Sequence, residues 1–546
     1  MRRRKPQLTE MEITELLTIV ELTKTSVLDT TDHEKLKAAI DTLIWTLSEL
    51  EKKSTTLARL RKELSINTKK TEKASTVLKG TAGTEQPQGN SEETRGQKKK
   101  KKKKPKGHGR NGADAYWGAE TIKIPHESLR VGLVCPLCER GKLGPYKPRR
   151  LVRLRGQAPI QAKIWEIEGL RCNLCGEVFR PEVPKAAGEE RYDETSASMI
   201  GLLKYGTGLP FYRLAKLEGS VGIPLPVSTQ WGIVKDAAQK IAPAYEELTR
   251  QGAQGDIVYN DDTAMKILDL LKENEQIQAA GSKERTGMFT TSIVSTSEGR
   301  RIALFFTGRQ HAGENMDRLL EHRATGLDPP IQMCDGLSRN LPKDFETLLA
   351  NCLTHGRRKF VDVVENFPQE CRHVIEILAK VYKNDAITRE REMSAQERLR
   401  YHQAHSAELM EGLEQWMTQQ IADKKIEPNS SLGGAISYML SRWDKLTLFL
   451  RQPGAPLDNN ICERALKKTI LHRKNALFYK TENGAEVGDI FMSLIYSAEL
   501  SEANPFDYLT TLLKHPEEVQ RSPHEWLPWN YQATAAVVAE AKAGRS

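Results

Sequence analysis

The sequence predicts a multidomain α/β protein with large helical parts. Three observations carry that expectation. Strand-like apolar runs alternate with helical patterns from about residue 255 onward, two Cys-x-x-Cys pairs stand ahead of them, and a heptad stripe lies near the start. At 546 residues the chain has room for roughly three to four domains.

The heptad comes first, at Leu36, Ile40, Leu43, Leu47, Leu50, Leu57 and Leu64, with Ser54 and Arg61 in the two broken slots. Spacings that alternate between four and three put these side chains on one helix face, so residues 1–66 are expected to form a helical, leucine-zipper-like region that pairs two chains. A helix packed on its own domain would show a similar stripe. Residues 67–115 lose the periodicity and read as a low-complexity basic linker. The linker holds seven consecutive lysines from Lys98 to Lys104, of which Lys98, Lys101 and Lys104 are taken as phosphate contacts, in a chain with 82 Lys and Arg against 72 Asp and Glu. No window of about 18 apolar residues exists, and the basic start MRRRKPQ is not followed by a signal-peptide core, so an intracellular protein without membrane contact is expected.

CPLCERG at 135–141 and CNLCG at 172–176 each set two thiols two residues apart and follow them with a glycine. Cys135, Cys138, Cys172 and Cys175 are therefore expected to hold one structural Zn2+ in a ribbon spanning 116–185, with LVRLR and IQAKIWEI as its strands. Two unrelated Cys-x-x-Cys pairs are the alternative. A four-thiolate site leaves no open coordination position and does no catalysis. Cys334, Cys352, Cys371 and Cys462 are scattered and read as small buried residues.

Residues 186–254 look helical, and PFYRLAKLEGSVGIPLPVSTQWGIVKDAAQKI reads as helix, glycine-containing turn, and a helix capped near Ser228. That outline suggests a helix-turn-helix with Thr229, Gln230 and Lys235 facing a DNA groove, although many compact helical pairs share it. After 255, DIVYND, MFTTSIVST, RIALFF and PIQMCD read as strands, with AGENMDRLLEHR as a helix, so 255–341 is the first part of an α/β core. Residues 342–455 read as a helical insertion that begins with the basic stretch CLTHGRRKF and contains a Ser394/Glu397 capping box. The core resumes over 456–515, and 516–546 is expected to be a tail.

Three acidic spots stand out in the second half: YNDDT, QMCDG and NNICER. Singly, each has an ordinary explanation. Asp261 and Asp262 would start a turn, Asp335 before Gly336 is a turn signal, and Asn460 with Glu463 would close a capping box. Jointly they would place two acids at the ends of neighbouring strands and a third on a helix. Such a cluster is costly without cations and implies bound Mg2+.

HGRNG at 108–112, the two cysteine pairs, LPFYRLAKLEG, YNDDT, CDG, CLTHGRRKF, DNNICERALKKTILHRKNALF, GAEVGDIFMSLIYSA and NPFDYL resemble, in this order, the transposases of the insertion sequence 66 family. The resemblance spans roughly residues 36–515, and so many motifs in order are highly specific. It implies a bacterial DDE transposase with an N-terminal zipper, a zinc-binding domain and a ribonuclease-H-like catalytic domain, in which a mixed sheet is flanked by helices and interrupted by a helical insertion. It further implies cleavage and joining of DNA with two Mg2+ or Mn2+ ions, action on terminal inverted repeats and target DNA, a homodimer or higher oligomer, small accessory proteins encoded by the same element, and a cytoplasmic, nucleoid-associated location.

Carried over by position, Asp261 matches the family's first catalytic aspartate, Asp335 the second and Glu463 the glutamate, and these three would also be the Mg2+ ligands. Asp262 stands where the family usually has glutamate, Asn260 where it has a small residue, and Leu337 follows Gly336 where tyrosine is common. His355, Arg357, Arg358, Lys359, Arg473 and Lys474 match the family's basic motifs and are taken as DNA contacts. Two further readings remain beside this one: a ribonuclease-H-like nuclease that cuts without joining, and a non-enzymatic zinc-ribbon DNA-binding regulator.

Overall fold

The computed structural model describes residues 18–21, 23, 29–40, 130–134, 142–143, 159–166, 168, 170–171, 178–179, 182–184, 190–279, 285–297 and 299–543. The chain divides into two compact units, one of residues 85–354 with 442–546 and one of residues 1–84 with 355–441.

In the larger unit, β1 (Leu170–Arg171) and β2 (Val178–Phe179) form an antiparallel ribbon, with Arg171 opposite Val178. Upstream, Val134 bridges Lys142 in the same antiparallel sense. Residues 161–166 of the expected strand IQAKIWEI are instead irregular, with Ile164 and Trp165 exposed. An apolar alternation cannot make a strand without a partner edge, and none is present among the described residues.

α1 (Glu194–Gly201) is capped by the Asp193 carboxylate, which accepts from Ser196 N, and runs into a π-helical turn at Leu202–Gly206. α2 (Phe211–Ser220) and α3 (Val227–Gly252) follow. α3 begins at Val227 after Pro226, without the side-chain cap expected near Ser228. Its stripe Val234, Ala237, Ala238, Ile241, Ala244 and Leu248 is buried, as the helical period requires of a core helix.

The five-stranded mixed sheet has the order β5-β4-β3-β6-β7. β3 (Ile257–Ala264), β4 (Phe289–Ser297) and β5 (Arg300–Gly308) form an antiparallel meander. β6 (Ile331–Cys334) and β7 (Leu348–Asn351) run parallel to β3. α4 (Leu268–Ala279) and α5 (Ala312–Leu320) are the connecting helices. The strands expected from DIVYND, MFTTSIVST, RIALFF and PIQMCD are all present. β7 was not expected: its short run LLAN lies in the stretch read as the start of the helical insertion, and pairing with β6 makes it a strand.

α6 (Leu353–Val363) leads into the smaller unit, where α7 (Pro368–Glu390), α8 (Ala395–His405), α9 (Ala407–Ala422) and α10 (Ser431–Leu440) follow. The expected Ser394/Glu397 capping box opens α8. Cys371, Val374, Ile375, Leu378, Met410, Leu413, Met417, Leu432 and Ile436 supply its core. Asp385 is also buried there. Burial alone would raise its pKa, but a hydrogen bond from His402 and the charges of Arg398 and Arg389 hold the carboxyl down to about 2.

Back in the larger unit, α11 (Asn460–Ala476), α12 (Glu482–Leu500), α13 (Pro505–Lys514), α14 (Pro516–Arg521) and α15 (Tyr531–Ala543) complete the chain. The expected tail beyond 516 is folded: Trp526, Leu527 and Tyr531 are buried, and Tyr508 Oη donates to Trp526 O. α12 seals the free edge of β5. Asp489, Ser493 and Ser497, four residues apart on one helix face, accept from the backbone N–H groups of Thr307 (2.6 Å), Phe305 (3.0 Å) and Ala303 (2.9 Å). Four helical residues rise about 6 Å and two strand residues about 6.6 Å, so the two repeats stay nearly in step. Burial pushes the Asp489 carboxyl up to about 7 despite its two bonds from Thr307. An otherwise open strand edge is thereby satisfied and covered.

Candidate active site

The acid pair lies inside β3, not at a turn that ends it, and is split between the two faces of the sheet, because successive strand side chains point opposite ways. Asp261 lies opposite Ser292 of β4, on the face that receives α11. There Cys462 Sγ donates to Ser292 O (3.2 Å), and Asn459 Nδ2 donates to Asn260 O (3.1 Å). Asp262 lies opposite Thr291, on the face covered by α5, where Asn315 Nδ2 donates to Thr291 Oγ1. Its buried carboxylate is engaged by His311 Nδ1 and Arg339 Nη2, each at 3.0 Å.

Asp335 reaches Asp261 through the parallel register. Tyr259 pairs with Met333, so two residues further on Asp261, within β3, comes level with Asp335, just past the end of β6. Gly336 then turns the chain at φ +79°, and a Cβ there would sit 3.1 Å from both Arg442 Nε and Asn351 Oδ1. The positive φ favours glycine here, and the close neighbours leave little room for a side chain.

Glu463 comes from the first turn of α11. It is not part of a capping box with Asn460, because Asn459 takes the N-cap position and spends its side chain on the Asn260 carbonyl. Cys352 Sγ lies within 4.8 Å of a Glu463 carboxylate oxygen and accepts from Asn459 N (3.3 Å), which ties the same helix end to the chain just past β7.

Asp261 feels the charge of the other acids. Burial, the charge of Asp335 and those of Asp262 and Glu463 push the Asp261 carboxyl up to about 7, against a lowering bond from Asp262 N to its Oδ1 at 2.8 Å. Three carboxylates brought to this part of the sheet offer hard oxygen donors suited to a divalent cation, which would replace repulsion with attraction.

A layer of amides beneath the acids was not picked out from the sequence. Asn340 Nδ2 (2.7 Å) and Leu337 N (3.0 Å) both donate to Asp335 Oδ1. The Asn340 carbonyl in turn accepts from Asn260 Nδ2 and Gln332 Nε2, both at 2.7 Å, and Gln332 Nε2 also donates to Asn260 Oδ1. The one available signal was Asn260 itself, where the resemblance led to a small residue.

The other expected contacts divide. Gln230 does not face a groove: it is fully buried, and its Nε2 donates to Phe211 O and Leu225 O, holding the turn between α2 and α3. Thr229 and Lys235 are half-buried, and Thr229 lines a cleft with four acids, Glu190, Asp193, Glu194 and Asp236, against a single lysine, Lys240, an excess of negative charge that disfavours phosphate. Arg357 is buried too, because it falls in the inward stripe of α6 with Leu353, Gly356 and Phe360. His355 and Arg358 are half-buried, while Lys359 is exposed, with its ammonium 5.3 Å from the Tyr438 ring centre. Arg473 is committed to β3, donating to Thr263 Oγ1 (3.0 Å) and to the Ala264 carbonyl, whereas Lys474 is exposed. The described cysteines Cys334, Cys352, Cys371 and Cys462 are buried, and none of them is in a disulfide. Cys135, Cys138, Cys172 and Cys175, the lysines Lys98, Lys101 and Lys104, and the heptad beyond Ile40 lie outside the described residues. Leu36 and Ile40 are on a helix at 30–40, Leu36 half-buried and Ile40 exposed.

Against known proteins, residues 190–487 match a family model described as "Transposase IS66 family", a stretch that includes all three acids. Among curated proteins, the chain is 30% identical over 358 residues to the Uncharacterized protein y4jD of Sinorhizobium fredii, covering 62% of this chain and 66% of that one. It is 26% identical to y4hP and to y4qI of the same organism, over 362 and 357 residues. The matches span just under two thirds of the length of these relatives.

Proposed function

The chain belongs to the IS66 transposase family, and from that premise we propose that it cuts and joins DNA at the ends of a mobile element, with Asp261, Asp335 and Glu463 as its catalytic acids. The observation that carries this reading is the placement of three carboxylates, on β3, in the turn after β6 and in the first turn of α11, with the Asp261 carboxyl raised first by burial and then by the charge of Asp335. The order β5-β4-β3-β6-β7, three strands antiparallel and two parallel, supports a ribonuclease-H-like core interrupted by the helical block.

The three acids would hold two Mg2+ or Mn2+ ions, which lower the pKa of an attacking water or 3′-hydroxyl and offset charge on the leaving oxygen. The protein's own part is placement. Asp262 N orients Asp261, Asn340 and Leu337 N orient Asp335, and the docking of Asn459 and Cys462 sets the helix that carries Glu463. Lys359 and Lys474 are exposed and suited to phosphate contacts, which add affinity without reading sequence. Recognition of terminal inverted repeats is assigned to a zinc ribbon at 116–185. In support, antiparallel pairs bracket both Cys-x-x-Cys segments, Val134 with Lys142 and Arg171 with Val178. The zipper-like N-terminus would bring two subunits to two DNA ends.

The test is strand transfer in vitro with a pre-cut element end and divalent metal. Wild-type protein should join the end to target DNA, and Asp335→Asn should bind DNA but neither cut nor join. Cutting without joining under every metal would make the protein a nuclease, and full biological activity in Asp335→Asn would make it a non-enzymatic regulator.

A further inference from the structure

Beyond Ala264, the chain leaving β3 is accompanied by a second segment. Ile267 bridges Tyr479 in parallel, Tyr479 N donates to Lys266 O (2.9 Å), Leu268 N to Tyr479 O (3.0 Å) and Asp269 N to Lys480 O (3.3 Å). Residues 477–480 are thus clamped beside 266–269, in continuation of the strand that carries Asp261. Arg473 fastens the end of α11 to the same place through Thr263 and Ala264.

At this clamp the chain does two things that packing alone would not select. Leu477, which caps α11, takes φ +69°, a left-handed conformation unfavourable for a leucine. It then presents its side chain outward: Leu477 is 61% exposed and Phe478 41%, while the next residue, Tyr479, is 5% exposed. An adjacent leucine and phenylalanine are therefore held at the surface by a rigid backbone on both sides. Lys266, Lys474 and Lys480, all exposed, are drawn from the same three segments.

We propose that Leu477 and Phe478 form a stacking wedge for an unpaired nucleotide of the DNA end, with Lys266, Lys474 and Lys480 countering the phosphates on either side of it. An exposed aromatic ring and leucine with lysines on the same segments suit a base flanked by phosphates, which offers a π face and negative charge together. The position, one clamp beyond Asp261, puts the wedge within a few nucleotides of the phosphate to be cut. The inference rests on the proposed action on DNA ends and adds to it a local opening of the duplex.

The experiment uses the full chain and two DNA ends, one fully paired and one with mismatches that unpair the nucleotides next to the scissile phosphate. Phe478→Ala should cut the paired end about tenfold or more slowly than wild type, the scale of one lost base stack, and should recover to near wild-type rate on the unpaired end. Leu477→Gly relieves the backbone strain, so it should match or exceed wild type in thermal stability while still cutting the paired end more slowly. Equal cutting of paired ends by wild type and Phe478→Ala, or equal loss on both substrates, overturns the wedge. Wild-type protein that cuts neither end overturns the functional reading and the wedge together.

Discussion

Asp261 and Asp262 are chemically alike and adjacent, yet they belong to different sites. One faces the charges of Asp335 and Glu463, and the other is held by contacts with His311 and Arg339 on the opposite face. Asp261→Asn should abolish strand transfer, while Asp262→Asn, which keeps an acceptor for its neighbours, should be milder. The reverse order would mean that the register of the site is wrong. Because the Asp261 carboxyl sits at about 7, a proton competes with metal below that pH, so the Mg2+ or Mn2+ needed for half-maximal activity should rise as pH falls through 7. The sign for stability is opposite. A carboxyl raised in the fold costs the metal-free protein stability as pH rises from the usual carboxylate range to about 7. Metal-free Asp261→Asn should therefore melt higher than wild type at pH 8 and about the same at pH 4, measured by calorimetry with chelator present. Asn340→Ala should raise the metal requirement, with Asn340→Asp no rescue because it would face Asp335 with a second negative charge.

Among the elements, α12 shows how much a periodic motif can encode. The spacing Asp489, Ser493, Ser497 is visible in GAEVGDIFMSLIYSA, but its purpose is not, because its partners Ala303, Phe305 and Thr307 are far away in the chain. Ser493→Ala should leave the Phe305 N–H buried without an acceptor and cost about 1–3 kcal/mol. The measurement is hydrogen exchange at Phe305, which should accelerate more than exchange at the central strand β3. α6 and α3 show the converse. Their basic and amide residues looked surface-bound in the sequence, and Arg357 and Gln230 proved buried because each occupies the inward stripe of its helix.

At the scale of the molecule, the helical unit has its own core and its own buried charge, so its pH response should differ from that of the sheet unit. Asp385 is held at about 2 by His402, Arg398 and Arg389, so the stability it contributes is present above the usual carboxylate range and lost as pH falls towards 2. Acid titration followed by circular dichroism should show a helical loss in that window that Asp385→Asn removes. No helix among the described residues is long and apolar enough to cross a membrane.

Local pattern by itself determined the four longer or more apolar strands, the main helices and the three acid-bearing motifs in their order, because apolar period, turn residues and motif spacing are properties of neighbours in the chain. The resemblance then singled out Asp261 from its neighbour. Tertiary structure alone decided the rest: that LLAN becomes a strand, that residues 161–166 do not, that the last described residues fold onto the core, and that an amide layer under Asp335 orients it. Each of those outcomes depends on a partner distant in sequence, a strand edge to pair with, a surface to cover or a carbonyl to satisfy, and no local pattern records whether that partner is there.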